Sequence, residues 1–166
     1  EVTWQHLNPI VEESLTLVRS GTKKHAIQIE TNLEAKCCVE VNRHQLLQVL
    51  VNLQMNGVHA MDDQGLLKVG TEDWIDEQGK TVGAVVHITD HGCGISKENL
   101  ERIFNPFFTT RRSGTGLGLS VSQGIISEIG GDICVQSTPG KGSTFSVYLP
   151  DKAVDNSGLQ LAKIEE

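Results

Sequence analysis

Residues 43–62 read RHQLLQVLVNLQMNGVHAMD and carry the strongest helical pattern of the chain. Apolar residues recur along this stretch every three or four positions, at Leu46, Leu47, Leu50, Leu53, Val58 and Met61. A second face, which runs one residue beyond the stretch, is polar and consists of Gln45, Gln48, Asn52, Asn56, His59 and Asp63. The spacing therefore predicts a long amphipathic helix that buries one side and leaves polar side chains on the other.

Strand-like patterns lie on both sides of this helix. Apolar and polar residues alternate at 27–33, 37–41, 66–75, 81–90, 133–135 and 145–149. The runs 66–75 and 81–90 are joined by a polar turn and are expected to form an antiparallel hairpin. Further helices are expected at residues 10–19, 96–104 and about 116–129.

The order of these elements predicts the fold class. Strands that follow one another, rather than alternating strictly with helices, indicate an α+β fold. We expect a two-layer α/β sandwich, in which one mixed and mostly antiparallel sheet is covered on one face by helices. Residues 1–150 would form this domain, and the polar residues 151–166 a C-terminal tail.

The composition limits the classes of partner. The chain has 166 residues, with 14 Lys and Arg against 21 Asp and Glu and a formal net charge of −7. Nucleic-acid binding needs clustered basic residues, so no nucleic-acid partner is expected. The four cysteines show no metal-ligand spacing. Because no apolar run approaches the roughly 18 residues of a membrane span, a cytoplasmic segment is expected, whether or not the full-length protein is membrane-anchored.

Asn52 and Asn56 are the first candidate functional residues. They stand four positions apart on one face of the long helix, although Asn is a poor helix former. Amide oxygens suit Mg²⁺, which commonly shares its coordination shell with water and substrate phosphates. The pair therefore indicates a magnesium site, and the alternative is an ordinary polar helix face.

The second candidate is the segment Asp90-His91-Gly92-Cys93-Gly94-Ile95, where a predicted strand ends on an acid. Its two alternate glycines allow a flat ligand to approach the backbone. A buried carboxylate at this point could accept a hydrogen bond from the exocyclic amine of adenine, which guanine does not present at the same place. The alternative is an ordinary Asp-x-Gly turn.

The third candidate is the glycine-rich segment at 114–120, which reads GTGLGLS and opens a predicted helix. Unpaired N–H groups and the positive end of the helix dipole attract anions, so this start indicates a phosphate site. Arg111 and Arg112 lie just upstream and could fold over the same anion, although solvated loop arginines are common. The glycine spacing does not match the dinucleotide motif, and the P-loop-like run at 74–81 has Trp74 where that motif needs Gly.

These segments, taken in order, resemble the N, G1, F and G2 boxes of sensor histidine kinases. The matching segments are NLQMNGVHA at 52–60, DHGCGI at 90–95, FNPFFTTR at 104–111 and GTGLGLS at 114–120, followed by 130–132 and 138–145. The PFFTTR run is most similar to the nitrogen-regulator-type branch. The resemblance covers about residues 8–150 and implies the Bergerat-type ATP-binding fold of the GHKL superfamily, with ATP and Mg²⁺ as cofactors.

The resemblance also implies residue roles. Asn56 would bind Mg²⁺, Asn52 would support it as the second catalytic residue, and Asp90 would receive the adenine amine. The implied nucleotide-binding residues are Asn56, His59, Ala60, Asp90, Gly92, Gly94, Ile95, Thr110, Arg111, Gly114, Thr115, Gly116, Leu117, Gly118, Leu119 and Thr144.

A short ATP lid is expected from about Lys97 to Gly114, with Phe104 and Phe107 anchoring its ends. Gly57 stands where the family usually has Ala, which would loosen that turn of the helix by up to about 1 kcal/mol.

The chain lacks the family's phosphoacceptor motif. Sensor histidine kinases transfer phosphate to a His in a separate dimerisation domain, within a motif like His-Glu-x-x-Asn-Pro. His6-Leu7-Asn8-Pro9 has a different spacing, so we expect His6 in a linker or edge strand and a helix that starts after Pro9. The implied partners are the protein's own dimerisation domain, in a full-length homodimer, and a cognate response regulator.

Two other functions stay open. Related ATPases, among them gyrase, mismatch-repair and heat-shock chaperone domains, place a Glu four residues before the Mg²⁺-binding Asn as the base that activates water. This chain has Asn52 there, and an amide cannot take up the proton, so transfer to another protein is favoured over hydrolysis. A nucleotide sensor without chemistry is the third possibility.

Overall fold

The computed structural model describes residues 1–109 and 118–152. The elements, in chain order, are β1 (Thr3–His6), α1 (Leu7–Gly21), β2 (Ala26–Leu33), β3 (Cys38–Val41), α2 (Arg43–Ala60), β4 (Gln64–Ile75), β5 (Thr81–Asp90), α3 (Lys97–Leu100), α4 (Gly118–Glu128), β6 (Asp132–Thr138) and β7 (Gly142–Pro150). None of the helices within the described ranges is long and apolar enough to span a bilayer.

The main sheet has five strands in the order β2-β4-β5-β7-β6. Only β2 and β4 run parallel, and the other neighbours are antiparallel, including the predicted hairpin of β4 and β5. Helices α1, α2 and α4 contribute buried residues to one core with this sheet. The predicted α+β sandwich is therefore confirmed.

The expectation of one single sheet is wrong, because β3 leaves the main sheet and pairs with β1 in a separate antiparallel ribbon. The chain between β2 and β3 is held by side chains from elsewhere. The Asp73 carboxylate accepts the backbone N–H groups of Lys36 and Cys37, each at 2.8 Å, and the Asn8 amide donates to the Ala35 carbonyl at 3.0 Å. These long-range contacts redirect the chain, and local alternation cannot reveal them.

The start of α1 also differs from the prediction. The helix begins at Leu7, so Pro9 lies inside its first turn, where a missing backbone N–H costs nothing. His6 is the last residue of β1, as expected for an edge strand.

Helix α2 lies at the centre of the core. Its apolar face is fully buried at Leu46, Val49, Leu50, Leu53 and Val58. Asn42 caps its N-terminus by accepting the Gln45 N–H at 3.0 Å. The packing fixes the rotation of α2, and with it the direction in which its polar residues point.

Residues 96–109 differ from the predicted lid in the length of the helix and in the anchoring aromatic residues. Ser96 caps α3 as predicted, accepting the Asn99 N–H at 3.2 Å, but the helix ends at Leu100 instead of continuing to Phe104. Phe104 packs against the core, whereas Phe107 is 73% exposed. Phe108, the next residue, packs against the core in its place. The remaining lid positions, 110–114, lie outside the described residues.

Candidate functional site

The site begins where α2 meets the end of β5. Gly57 is buried in α2, and a Cβ added there would lie 3.3 Å from the Cβ of Asp90 and 2.8 Å from Leu67 Cδ1. The absent side chain lets the helix approach the sheet closely at this point. Gly57 thus has a packing role, which the sequence-based expectation of a loosened helix turn did not include.

Asp90 is the last residue of β5 and is only 4% exposed. Burial raises the pKa of its carboxyl above the usual value, although hydrogen bonds from the backbone of Gly92 and Ser143 and the charge of His91 lower it in part. Oδ1 accepts the Gly92 N–H at 2.9 Å. This oxygen is therefore held by the protein, while Oδ2 lies 3.7 Å from the position that a Cβ of residue 57 would take, on the side that faces α2.

The loop after Asp90 is clamped between α2 and the β6–β7 turn. Cys93 N donates to the Ala60 carbonyl at 3.1 Å, and the Cys93 carbonyl accepts Gly140 N–H at 2.7 Å. A Cβ at Gly92 would overlap the Ala60 carbonyl oxygen, and one at Gly94, whose φ is 72°, would overlap the Thr138 carbonyl oxygen. Contacts within the chain already require both glycines, so the predicted approach of a ligand is not needed to explain them.

The two asparagines of α2 have different surroundings. Asn52 donates through Nδ2 to the hydroxyl of Ser122 in α4 at 3.2 Å and lies against Gly118. Asn56, one turn later, is half-buried, and within the described ranges its amide has no hydrogen-bond partner. Its oxygen can thus coordinate a cation without breaking an existing bond.

The residues present fit Mg²⁺ as part of a metal–nucleotide complex. Among the described residues, no group of three or more His, Cys, Asp or Glu side chains could hold a metal ion. A magnesium ion at Asn56 would therefore depend on that amide, on water and on phosphate oxygens, a mixed set that Mg²⁺ commonly uses.

The other predicted residues occupy varied positions. His59 Nδ1 lies 3.2 Å from Asp63 Oδ1, and Leu119 packs against the core at the start of α4. The hydroxyl of Thr144 forms a hydrogen bond with the hydroxyl of Thr89, with 2.9 Å between the two oxygens. Predicted residues that lie outside the described ranges are Thr110, Arg111, Gly114, Thr115, Gly116 and Leu117.

The placement of Thr144 identifies a residue that the sequence prediction missed. Asp90 pairs with Ser143 in the sheet, and Thr89 pairs with Thr144. Since successive side chains of a strand point to opposite faces, Ser143 shares the helix-covered face with Asp90, and Thr144 lies on the other face. Ser143 is buried, with 6% of its surface exposed. In the sequence, Ser143 and Thr144 are adjacent hydroxyl residues of one G-x-G-S-T run, so the motif alone does not show which of them faces Asp90.

Ser122 and Ser137 were also missed. Ser122 is 2% exposed and bonds Asn52, whereas Ser137 accepts the Ile95 N–H at 2.7 Å. Each is an isolated Ser in a regular element, and only the three-dimensional contacts reveal its link to the site.

Comparison with known proteins identifies the family of this chain. Residues 41–153 match the family described as "Histidine kinase-, DNA gyrase B-, and HSP90-like ATPase", so the chain belongs to that family. It is 40% identical over 150 residues to the signal transduction histidine-protein kinase AtoS of Escherichia coli strain K12, covering 89% of this chain and 24% of AtoS. The chain thus spans about a quarter of that relative's length.

Solved structures show the same fold. The catalytic domain of histidine kinase ThkA superposes with a TM-score of 0.79 at 33% identity, covering 91% of this chain and 96% of that one. ThkA in complex with the response regulator protein TrrA gives a TM-score of 0.76 at 29% identity, over 92% of this chain and 42% of that one. The resemblance to sensor histidine kinases of the nitrogen-regulator type is confirmed.

Proposed function

We propose that this chain is the ATP-binding catalytic domain of a sensor histidine kinase, which transfers the γ-phosphate of ATP to a His on the protein's own dimerisation domain. The observation that carries the proposal is the close approach of α2 and β5 at Gly57. The buried carboxylate of Asp90 lies against Gly57, the residue that follows Asn56, and Asn52 is one turn before Asn56 on α2. Both amides could thus serve a metal–phosphate group near Asp90.

Each residue would have a separate role at this site. Asp90 Oδ2 would accept the adenine amine, since Oδ1 is already bonded to Gly92. Asn56 would hold Mg²⁺, which neutralises phosphate charge when bound. Asn52, fixed by Ser122, would keep α4 and its glycine-rich start against α2. The N-terminal N–H groups of that helix would bind phosphate oxygens.

The base that the hydrolysing relatives use to activate water is replaced in this chain by an amide. The position that carries a catalytic Glu in the hydrolysing relatives is Asn52, whose amide nitrogen donates to Ser122. Transfer to another domain is therefore favoured over ATP hydrolysis.

We also propose the partners that this role requires. ThkA has been solved with the response regulator TrrA, which supports relay from the phosphorylated His to a cognate response regulator. The full-length protein would be a homodimer, with this domain in the cytoplasm where ATP is available.

Phosphotransfer in trans tests the function. With γ-labelled ATP, the domain alone should neither label itself nor turn over ATP rapidly, and adding the protein's dimerisation domain should give label on that domain. Rapid turnover by the isolated domain, retained after repurification and lost in Asp90→Asn, would instead identify an ATPase.

A further inference from the structure

Ser137 in β6 makes three hydrogen bonds through one hydroxyl. It lies 2.7 Å from Ile95 N, 2.9 Å from the Gly142 carbonyl and 2.7 Å from the hydroxyl of Ser143. A hydroxyl has one proton to donate and two lone pairs that accept. Because Ile95 N–H can only donate and the Gly142 carbonyl can only accept, Ser137 donates to Gly142 and accepts from both Ile95 and Ser143.

These bonds connect the two ends of the loop that carries Asp90. At the near end, Asp90 pairs with Ser143 across the ladder of β5 and β7. At the far end, Ile95 is fastened to Ser137, which is itself bonded to Gly142 and Ser143. The near end is thus attached to β7 directly, and the far end is attached to the same segment of β7 through Ser137 of β6.

The middle of this loop is held by backbone groups. Cys93 bonds Ala60 through its N–H and Gly140 through its carbonyl. At the far end, by contrast, the bond to Ile95 comes from a side chain, so one substitution can remove it. The loop would then keep its middle attachment and lose its far one.

We propose that Ser137 is a positioning residue that sets the distance between Ile95 and Asp90, and through it the fit of adenine. The inference rests on the proposed ATP site. Ser137 itself need not touch the nucleotide. Loss of its hydroxyl should affect base selectivity more than binding of the phosphates, which lie toward α4.

Calorimetric titration of ATP and GTP in the presence of Mg²⁺ tests this proposal. Ser137→Ala should weaken ATP binding about 3- to 10-fold, the effect of one ordinary hydrogen bond, and should change GTP binding less. Ser137→Thr keeps the hydroxyl and should restore most of the ATP affinity. The matched control is Ser146→Ala, which removes another hydroxyl of β7. Ser146 lies two residues after Thr144 and bonds His87, so its loss should leave the affinities for ATP and GTP unchanged.

Amide hydrogen exchange in the nucleotide-free domain provides a second readout. Ile95 N–H should exchange faster in Ser137→Ala than in the wild type, and the Cys93 N–H should change less. If the core amides of β5 stay protected, the variant is otherwise folded, and faster exchange at Ile95 then reports a local change.

The outcomes separate the two proposals. Suppose that the wild type binds ATP, and that Ser137→Ala shows either the same preference for ATP over GTP or the same exchange rate at Ile95. Either result would overturn the positioning role and leave the proposed function intact. Failure of the wild type to bind ATP would overturn the proposed function and this inference with it.

Discussion

The amide nitrogen of Asn52 donates a hydrogen bond to the hydroxyl of Ser122 over 3.2 Å, and this bond joins α2 to the first turns of α4. Ser122 is 2% exposed, so water does not readily replace it. Asn52 also lies against Gly118, the first residue of α4. The residue expected to support the magnesium ligand thus also positions the helix that the glycine-rich segment opens.

Replacement of Ser122 by Ala should therefore destabilise the domain by about 0.5–1.5 kcal/mol, since Asn52 loses its partner in a half-buried position. Urea unfolding monitored by circular dichroism measures the change. Ser127→Ala is the control, because Ser127 is exposed on the same helix, and it should have little effect. Equal effects of the two substitutions would show that the Asn52–Ser122 bond adds nothing to stability.

The contact of α1 with α2 contains a buried polar pair whose bonding is incomplete. Gln54 is fully buried and donates to Ser14 Oγ at 2.8 Å, while Ser14 donates to the Val11 carbonyl at 2.6 Å. Within the described residues, Gln54 Oε1 has no partner. An unsatisfied buried oxygen costs free energy that an apolar side chain of similar size would not.

We therefore expect Gln54→Met to leave stability unchanged or raise it by up to about 1 kcal/mol, and Ser14→Ala to lower it by about 1–3 kcal/mol by leaving the Gln54 amide unpaired. The double variant should recover most of the loss. Free energies of unfolding for the four proteins form a double-mutant cycle. Strong destabilisation by Gln54→Met would mean that a buried water satisfies Oε1.

Asp90→Asn should separate stability from binding. Burial raises the folded-state pKa of this carboxyl above its usual 3.8, so the neutral form fits the fold better than the charged form. The stability that its protonation provides is fully present below about pH 3.8 and is lost as the pH rises through the higher folded-state pKa. At neutral pH the nucleotide-free variant should be at least as stable as the wild type, and this advantage should shrink as the solution is acidified.

The same variant should lose ATP affinity by roughly 1.5–3 kcal/mol, as for the loss of a hydrogen bond to a charged group, while the weaker binding of GTP changes less. Unfolding at several pH values and nucleotide titrations measure the two effects. Equal losses for ATP and GTP would show that Asp90 is structural and does not recognise the base.

Much of the fold could be predicted from local patterns. The period of α2, the hairpin of β4 and β5 and the Ser96 cap each depend on residues close in sequence, and the structure contains all of them. The β1–β3 ribbon could not be predicted, since Asp73 and Asn8 hold the chain before β3 through contacts more than 20 residues away in sequence.

The candidate site shows the same division. Asp90 and Asn56 can be proposed from the sequence because their residue types suit the chemistry expected at their positions. Ser122 accepts a hydrogen bond from Asn52, and Ser137 accepts one from the Ile95 N–H, but a Ser in a helix or strand carries no chemical signature. The reason for Gly92 was also missed, because the carbonyl that excludes a side chain there belongs to Ala60.

Calorimetry of ATP binding to the wild-type domain and to Asn56→Ala, each with Mg²⁺ and with EDTA, tests the central claim most directly. We expect the wild type to bind ATP more tightly with Mg²⁺, and Asn56→Ala to lose most of that difference while it still binds ATP in EDTA through Asp90. Asn32→Ala, exposed in the edge strand β2, is a control that should retain the Mg²⁺ effect. An unchanged Mg²⁺ effect in Asn56→Ala, or no ATP binding by the wild type, would contradict the account.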